Sequence, residues 1–175
     1  MKEIVWDVES NGLLDTVDKV HCICWKEVGK EDLYYLDYDN LHIDNIIDVF
    51  SGCKKIIGHN IINYDIPLLK KMYNVDLVKL LGPEVIWDTY IMSRLHWPDR
   101  PLPKGCPESV FNPVTKRKDK VGPHSLEAWG YFVGNKKIEI VDWREYKPII
   151  LERCMVDVQI NDKVYLHLKQ EMNFE

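Results

Sequence analysis

Residues 2–8 (KEIVWDV) are short, apolar and rich in branched side chains, and the run stops at Asn11-Gly12, a turn-forming pair. A buried first strand is predicted there. Residues 20–28 and 31–38 repeat a strand pattern on either side of Gly29-Lys30, as a hairpin does, so three antiparallel strands open the chain. Apolar positions then recur at helical spacing over 43–51, KKIIG at 54–58 reads as a short buried strand, and 65–73 and 88–96 read as amphipathic helices. Strand and helix alternate from there, which points to an α/β fold.

The stretch from Trp97 to Pro123 breaks this rhythm. It holds six of the nine prolines and a basic run, Lys116, Arg117, Lys118 and Lys120, and is expected to be a long irregular insertion of the kind that is usually functional or mobile. A further helix is predicted from Ser125 to Tyr131, and one or two helices over 147–172. No repeat, low-complexity tract or linker divides the 175 residues, and 46% of them are hydrophobic, so one domain spanning 1–175 is expected.

Composition narrows the class. No targeting pattern opens the chain and no apolar run approaches the roughly 20 residues of a membrane helix, so a soluble, unprocessed, cytoplasmic protein is expected. The five cysteines are odd in number and lack the paired spacing of a disulfide framework or zinc ribbon, which fits a reducing compartment. His21, Cys22 and Cys24 resemble a fragment of a metal site, but the two thiols alternate along a strand without a partner pair and read as packed core. Cys106 with His96 and His124 is equally thin. A net charge of −5 argues against holding nucleic acid mainly through a broad basic surface. It leaves nucleic acid open as a substrate, because divalent metal offsets the charge of a carboxylate site.

The candidate chemistry lies in four acids. Asp7 and Glu9 sit two apart near the end of the first strand, so both project from one face. Two acids on an apolar strand are costly unless paired or bound to a cation, although D-x-E alone also describes acids solvated at a strand end. Asp65 stands where a helix starts before Pro67 and is equally readable as an N-cap; Asp88 opens the next helix in the same way. Asp157 falls inside a strongly apolar helical pattern that includes Ile149, Ile150, Leu151, Cys154, Met155 and Val158, which makes it more informative than an acid on a polar face, a solvated position at the edge of the stripe being the alternative.

The phrases DVESNGLL at 7–14, GHNIINYDIPLL at 58–69, WDTYIMSRL at 87–95, GPHSLEAWGYFVG at 122–134 and RCMVDV at 153–158 resemble, in order and nearly along the whole chain, the proofreading exonuclease domains of bacteriophage family-A DNA polymerases within the DnaQ-like DEDD superfamily. The resemblance implies a ribonuclease-H-like fold: a central mixed five-stranded sheet, three antiparallel N-terminal strands plus parallel ones, flanked by helices. It implies a 3′→5′ exonuclease in which Asp7, Glu9 and Asp157 bind one divalent ion, Mg²⁺ or Mn²⁺, with Asp7 shared by a second and Asp65 acting largely through water. It further implies a pocket for the terminal nucleotide, with Leu13 as wedge beside the Asn11 turn, Asn60 near the sugar or phosphate, and His59 and Tyr64 as additional candidates that core or turn roles explain equally well. The partner would be the 3′ end of single-stranded DNA, with RNA or small nucleotides as the alternative. The setting would be a phage-encoded enzyme in the host cytoplasm, either stand-alone, with a replication protein as a further partner, or a fragment of a larger polymerase.

The chain departs from that pattern at one position. The tyrosine subclass carries Tyr four residues before the last acid and the histidine subclass His five before it; here those positions hold Arg153 and Glu152. A guanidinium cannot act as a general base, yet it can grip a phosphate oxygen. Alternatively Arg153 pairs with Asp157 or Glu9, weakens metal binding and leaves a weakly active or non-catalytic nucleic-acid-binding module. The basic run at 116–120 is a candidate backbone contact or a solvated loop.

Overall fold

The computed structural model describes residues 2–112 and 116–173. Strand β1 (Lys2–Ser10) lies at the centre of a five-stranded sheet. It pairs antiparallel with β2 (Val20–Glu27), which pairs antiparallel with β3 (Leu33–Asp37). On its other edge β1 runs parallel to β4 (Cys53–Gly58), and β4 runs parallel to β5 (Ile86–Asp88), giving the order β3-β2-β1-β4-β5. The mixed sheet thus takes the form the resemblance implies. Its outermost parallel strand is only three residues long, too short for periodicity to reveal.

Because side chains alternate along a strand, β1 feeds two cores. Ile4, Trp6 and Val8 face helices α1 (Ile43–Phe50) and α2 (Asp65–Tyr73), where Trp6 meets Phe50 edge-on with ring centroids 4.8 Å apart. Val5 faces the opposite layer with Cys22, Cys24 and Ile57, under α5 (Leu126–Val133) and α6 (Pro148–Glu171). Asp7 and Glu9 continue the Val5 face, so the period of two aims both acids at α6.

Helix α6 is one continuous element of 24 residues rather than two, begun by Pro148, whose fixed φ and missing N–H suit a first turn. Among its buried residues, Ile150, Cys154, Asp157, Asn161, Val164 and Leu168 recur every three or four positions, a stripe that lies on the sheet. Between α2 and α5 run α3 (Leu77–Leu81), a 3-10 turn at Pro83–Val85 and α4 (Thr89–His96). Asp88 is a true N-cap: it accepts from Tyr90 N and Ile91 N, and also from Asn60 N and Ile62 N, tying the turn after β4 to the start of α4.

The insertion is less irregular than its prolines suggest. It contains a two-stranded antiparallel hairpin, β6 (Ser109–Asn112) with β7 (Arg117–Lys120), and the basic run lies on β7 and the residue before it, exposed throughout. Proline breaks periodicity, and cross-strand pairing of four residues leaves no apolar signature to read. Among the described residues no helix is long and apolar enough to cross a membrane.

Candidate functional site

The register of β1 sets the geometry. Pairing with β4 ends at Val5–Ile57, so beyond that point β1 has no strand neighbour on this side. The Val8 N–H, between the two acids, donates instead to Asp65 Oδ1 at 3.3 Å. Asp65 is the first residue of α2, with Tyr64 at the cap position, and its carboxylate is directed at β1 rather than serving as the N-cap. At the far end of β1 the register with β2 shifts between Glu9, opposite Cys22, and Ser10, opposite Val20, an irregularity in the pairing beside Glu9. Helix α6 then brings Asp157 across 148 residues of sequence, and oxygen atoms of Asp7, Glu9 and Asp157 all lie within 4.8 Å of one another.

Crowding and burial raise these acids. Burial, then Glu9, Asp65 and Asp157, hold the Asp7 carboxyl well above its ordinary range. Burial and Asp157 push Glu9 up to about 8 against the opposing pull of Arg153 and Lys137. Burial also pushes Asp65 up to about 7, although its backbone hydrogen bonds oppose this. Folded-state values above the unfolded ones mean that protonation favours the fold: that stability is present in acid and lost as pH rises through the folded values. The metal-free protein should therefore lose thermal stability from about pH 5 towards about pH 8, and saturating Mn²⁺ should remove that loss by binding the ionised acids. Melting curves in chelator and in Mn²⁺ across this range check it; parallel curves would disprove it.

Two cations attend Asp157. Lys137 Nζ lies 2.7 Å from Asp157 Oδ2, with both side chains largely buried. Arg153 Nε lies 3.2 Å from the same oxygen and 3.6 Å from Glu9 Oε1, and its guanidinium also donates to the Ile138 carbonyl. Asp157 Oδ1 is sealed from solvent and has no hydrogen-bond partner among the described residues. An orphaned buried carboxylate oxygen beside two further acids is a donor set that fits a hard divalent cation. Lys137 went unread in the sequence, since it lies in the loop between α5 and α6, where no periodicity or motif marks it.

A cleft of about 440 Å³ opens beside Glu9 and Arg153. Asn11, Leu13 and Tyr64 line it, and the insertion supplies a wall through Phe111 and Asp119. Leu13 and Phe111 are each about 60% exposed there. Tyr64 is held by its hydroxyl to Ser10 Oγ and the Gly12 carbonyl, while Asn11 braces the following turn through Asp18 and Lys19 N. His59 and Asn60 sit outside the cleft lining, in the turn after β4. His59 Nδ1 is 2.9 Å from Thr89 Oγ1, and burial pushes its imidazole down to about 3, so it is neutral. Asn60, at φ 64°, shapes the turn.

No protein-family model matches the chain. It is 32% identical over 155 residues to the DNA-directed DNA polymerase of Escherichia phage T7, a match covering 86% of this chain and 21% of that protein. The chain thus spans about a fifth of the length of that curated relative. Among solved structures, one described as the apo form of the nuclease superposes with a TM-score of 0.64 at 18% identity, over 98% of this chain and 73% of that one. E. coli exonuclease I in complex with a dA16 oligonucleotide gives 0.53 at 12% identity, over 97% and 41%. At such identities the structures speak for the fold, and the fold is ribonuclease-H-like. The sequence match to part of a phage DNA polymerase and this shared architecture support a relationship to the DnaQ-like exonucleases.

Proposed function

We propose that this chain is a metal-dependent 3′→5′ exonuclease that hydrolyses phosphodiester bonds at the 3′ end of single-stranded DNA. The observation that carries this reading is the convergence of Asp7, Glu9 and Asp157 oxygens, with Asp157 Oδ1 left without a partner, at the edge of an open cleft. Two Mg²⁺ or Mn²⁺ ions held by Asp7, Glu9 and Asp157, with Asp65 in support, would supply charge to the scissile phosphate and an activated water. The protein's own groups bind and orient. Asp65 is fixed to the backbone between the two strand acids. Leu13 and Phe111 offer apolar surface to the terminal bases. Arg153, which cannot accept a proton, would hold a phosphate oxygen and stabilise charge gathering there.

The test is digestion of a 5′-labelled single-stranded oligonucleotide with Mn²⁺. A ladder of shortened products is expected, and competition between matched DNA and RNA strands decides the sugar. A second reading rests on Arg153 and Lys137, which already neutralise Asp157: the chain would then bind 3′ ends without cutting them. Retained binding with no shortening in Mn²⁺ would select that module and reject the enzyme. If Arg153 grips phosphate, Arg153→Ala should lower kcat/KM by about 10–100-fold, the loss of a charge-assisted hydrogen bond of roughly 1.5–3 kcal/mol. An unchanged or faster Arg153→Ala would mean that the guanidinium only restrains the acids.

A further inference from the structure

Next to the carboxylates lies a second group of ligand atoms of the opposite chemical kind. The register that sets Asp7 opposite Cys24 and Glu9 opposite Cys22 turns both thiols to the α6 face of the sheet. Helix α6 places Cys154, one turn before Asp157, over the same point. The three Sγ atoms lie within 4.8 Å of one another, and all three residues are fully buried. Cys154 Sγ is also 3.6 Å from Asp7 Oδ2. None of these thiols has a role in the proposed hydrolysis.

Zinc–sulfur bonds of about 2.3 Å and zinc–oxygen bonds of about 2.0 Å put adjacent ligands of a tetrahedral ion roughly 3.5–3.8 Å apart. The Cys154–Asp7 separation already has that span, and the sulfur atoms need to approach by at most about an ångström to reach it. Thiolates prefer soft or borderline ions, whereas the neighbouring carboxylates prefer hard ones, so ligand type sorts the two positions. We propose that Cys22, Cys24 and Cys154 form a buried site for a soft or borderline divalent cation of the zinc and cadmium class, adjoining the carboxylate site at Asp7. Binding exchanges three S–H protons for one divalent ion: three protons leave to solvent, and the neutral thiols become a complex of net charge −1. A divalent ion is therefore favoured over a monovalent one, and affinity falls in acid as protons compete. The partly buried Asp7 and Glu9 mark the side from which the ion enters.

The probe is Cd²⁺, titrated into the full chain in excess Mg²⁺ and followed by the ultraviolet sulfur-to-cadmium charge-transfer band. A band of three-thiolate intensity, saturating at one equivalent, is expected. It should persist in Cys53→Ala/Cys106→Ala, which removes the other two thiols and leaves the buried trio untouched, and vanish in Cys22→Ala and Cys154→Ala proteins that retain the native circular dichroism spectrum. No band at stoichiometric Cd²⁺ in the native protein would overturn the proposal, as would a band lost with Cys53 and Cys106. Should the core variants not fold, the wild type and the Cys53→Ala/Cys106→Ala protein decide it alone.

Discussion

Asp7→Ala should abolish Mn²⁺-dependent shortening of a labelled strand, by at least about 10³-fold, while the metal-free protein melts no lower than wild type. The first effect follows from removing a ligand whose metal is proposed to supply several kcal/mol of transition-state stabilisation, each 1.4 kcal/mol being about tenfold in rate. The second follows from the electrostatics: the partly buried Asp7 is crowded by Glu9, Asp65 and Asp157, so removing it relieves desolvation and like-charge repulsion in the absence of a cation. The combination separates loss of chemistry from loss of fold. The Mn²⁺-induced rise in melting temperature should shrink in the same variant. Wild-type turnover in Asp7→Ala would sink the proposed site, and a marked fall in metal-free stability would show that Asp7 is structural.

The largest effect on stability is expected away from the cleft. Lys26 on β2 and Asp162 on α6 form a buried pair with Nζ 2.8 Å from Oδ2, and Asp162 Oδ1 accepts from Gly29 N at 3.0 Å. This contact pins α6 to the sheet one turn beyond Asp157. Lys26→Met keeps most of the side-chain volume but leaves a buried carboxylate without its cation, at a cost of about 3–5 kcal/mol. For a chain of this size that is a fall in Tm of roughly 6–20 °C. Adding Asp162→Leu should restore most of the loss, since a buried ion pair replaced whole by apolar side chains is close to neutral, and Gly29 is exposed enough for water to take over its N–H. A cost below about 1 kcal/mol for the single variant would mean that the pair is solvated.

The legible part of this molecule was local. Ile4, Trp6 and Val8 against Val5, Asp7 and Glu9 is a period of two within nine residues, and it announced a strand with two acids on one face. The apolar rhythm of 149–166 announced a helix with an acid inside its stripe. The order of the motif phrases carried the relationship that the polymerase match and the shared architecture support. Where periodicity was short or interrupted, the reading thinned: three residues made β5, and the hairpin of β6 and β7 lay among prolines.

Sequence alone determined which groups exist and which way they face on their own element, because side-chain direction repeats with the backbone. Only tertiary structure decided what they meet. That Asp65 is held by the Val8 N–H depends on where β4 stops pairing with β1. That Lys137 lies 2.7 Å from Asp157 depends on the path of an aperiodic loop. That Cys22 and Cys24 face the layer of Cys154 depends on strand register and helix phase together, since a one-residue slip in β2 would turn its side chains to the other face. Such contacts are set by which edges pair, in what register, and by the path of the loops between elements, and no local pattern in the chain encodes these.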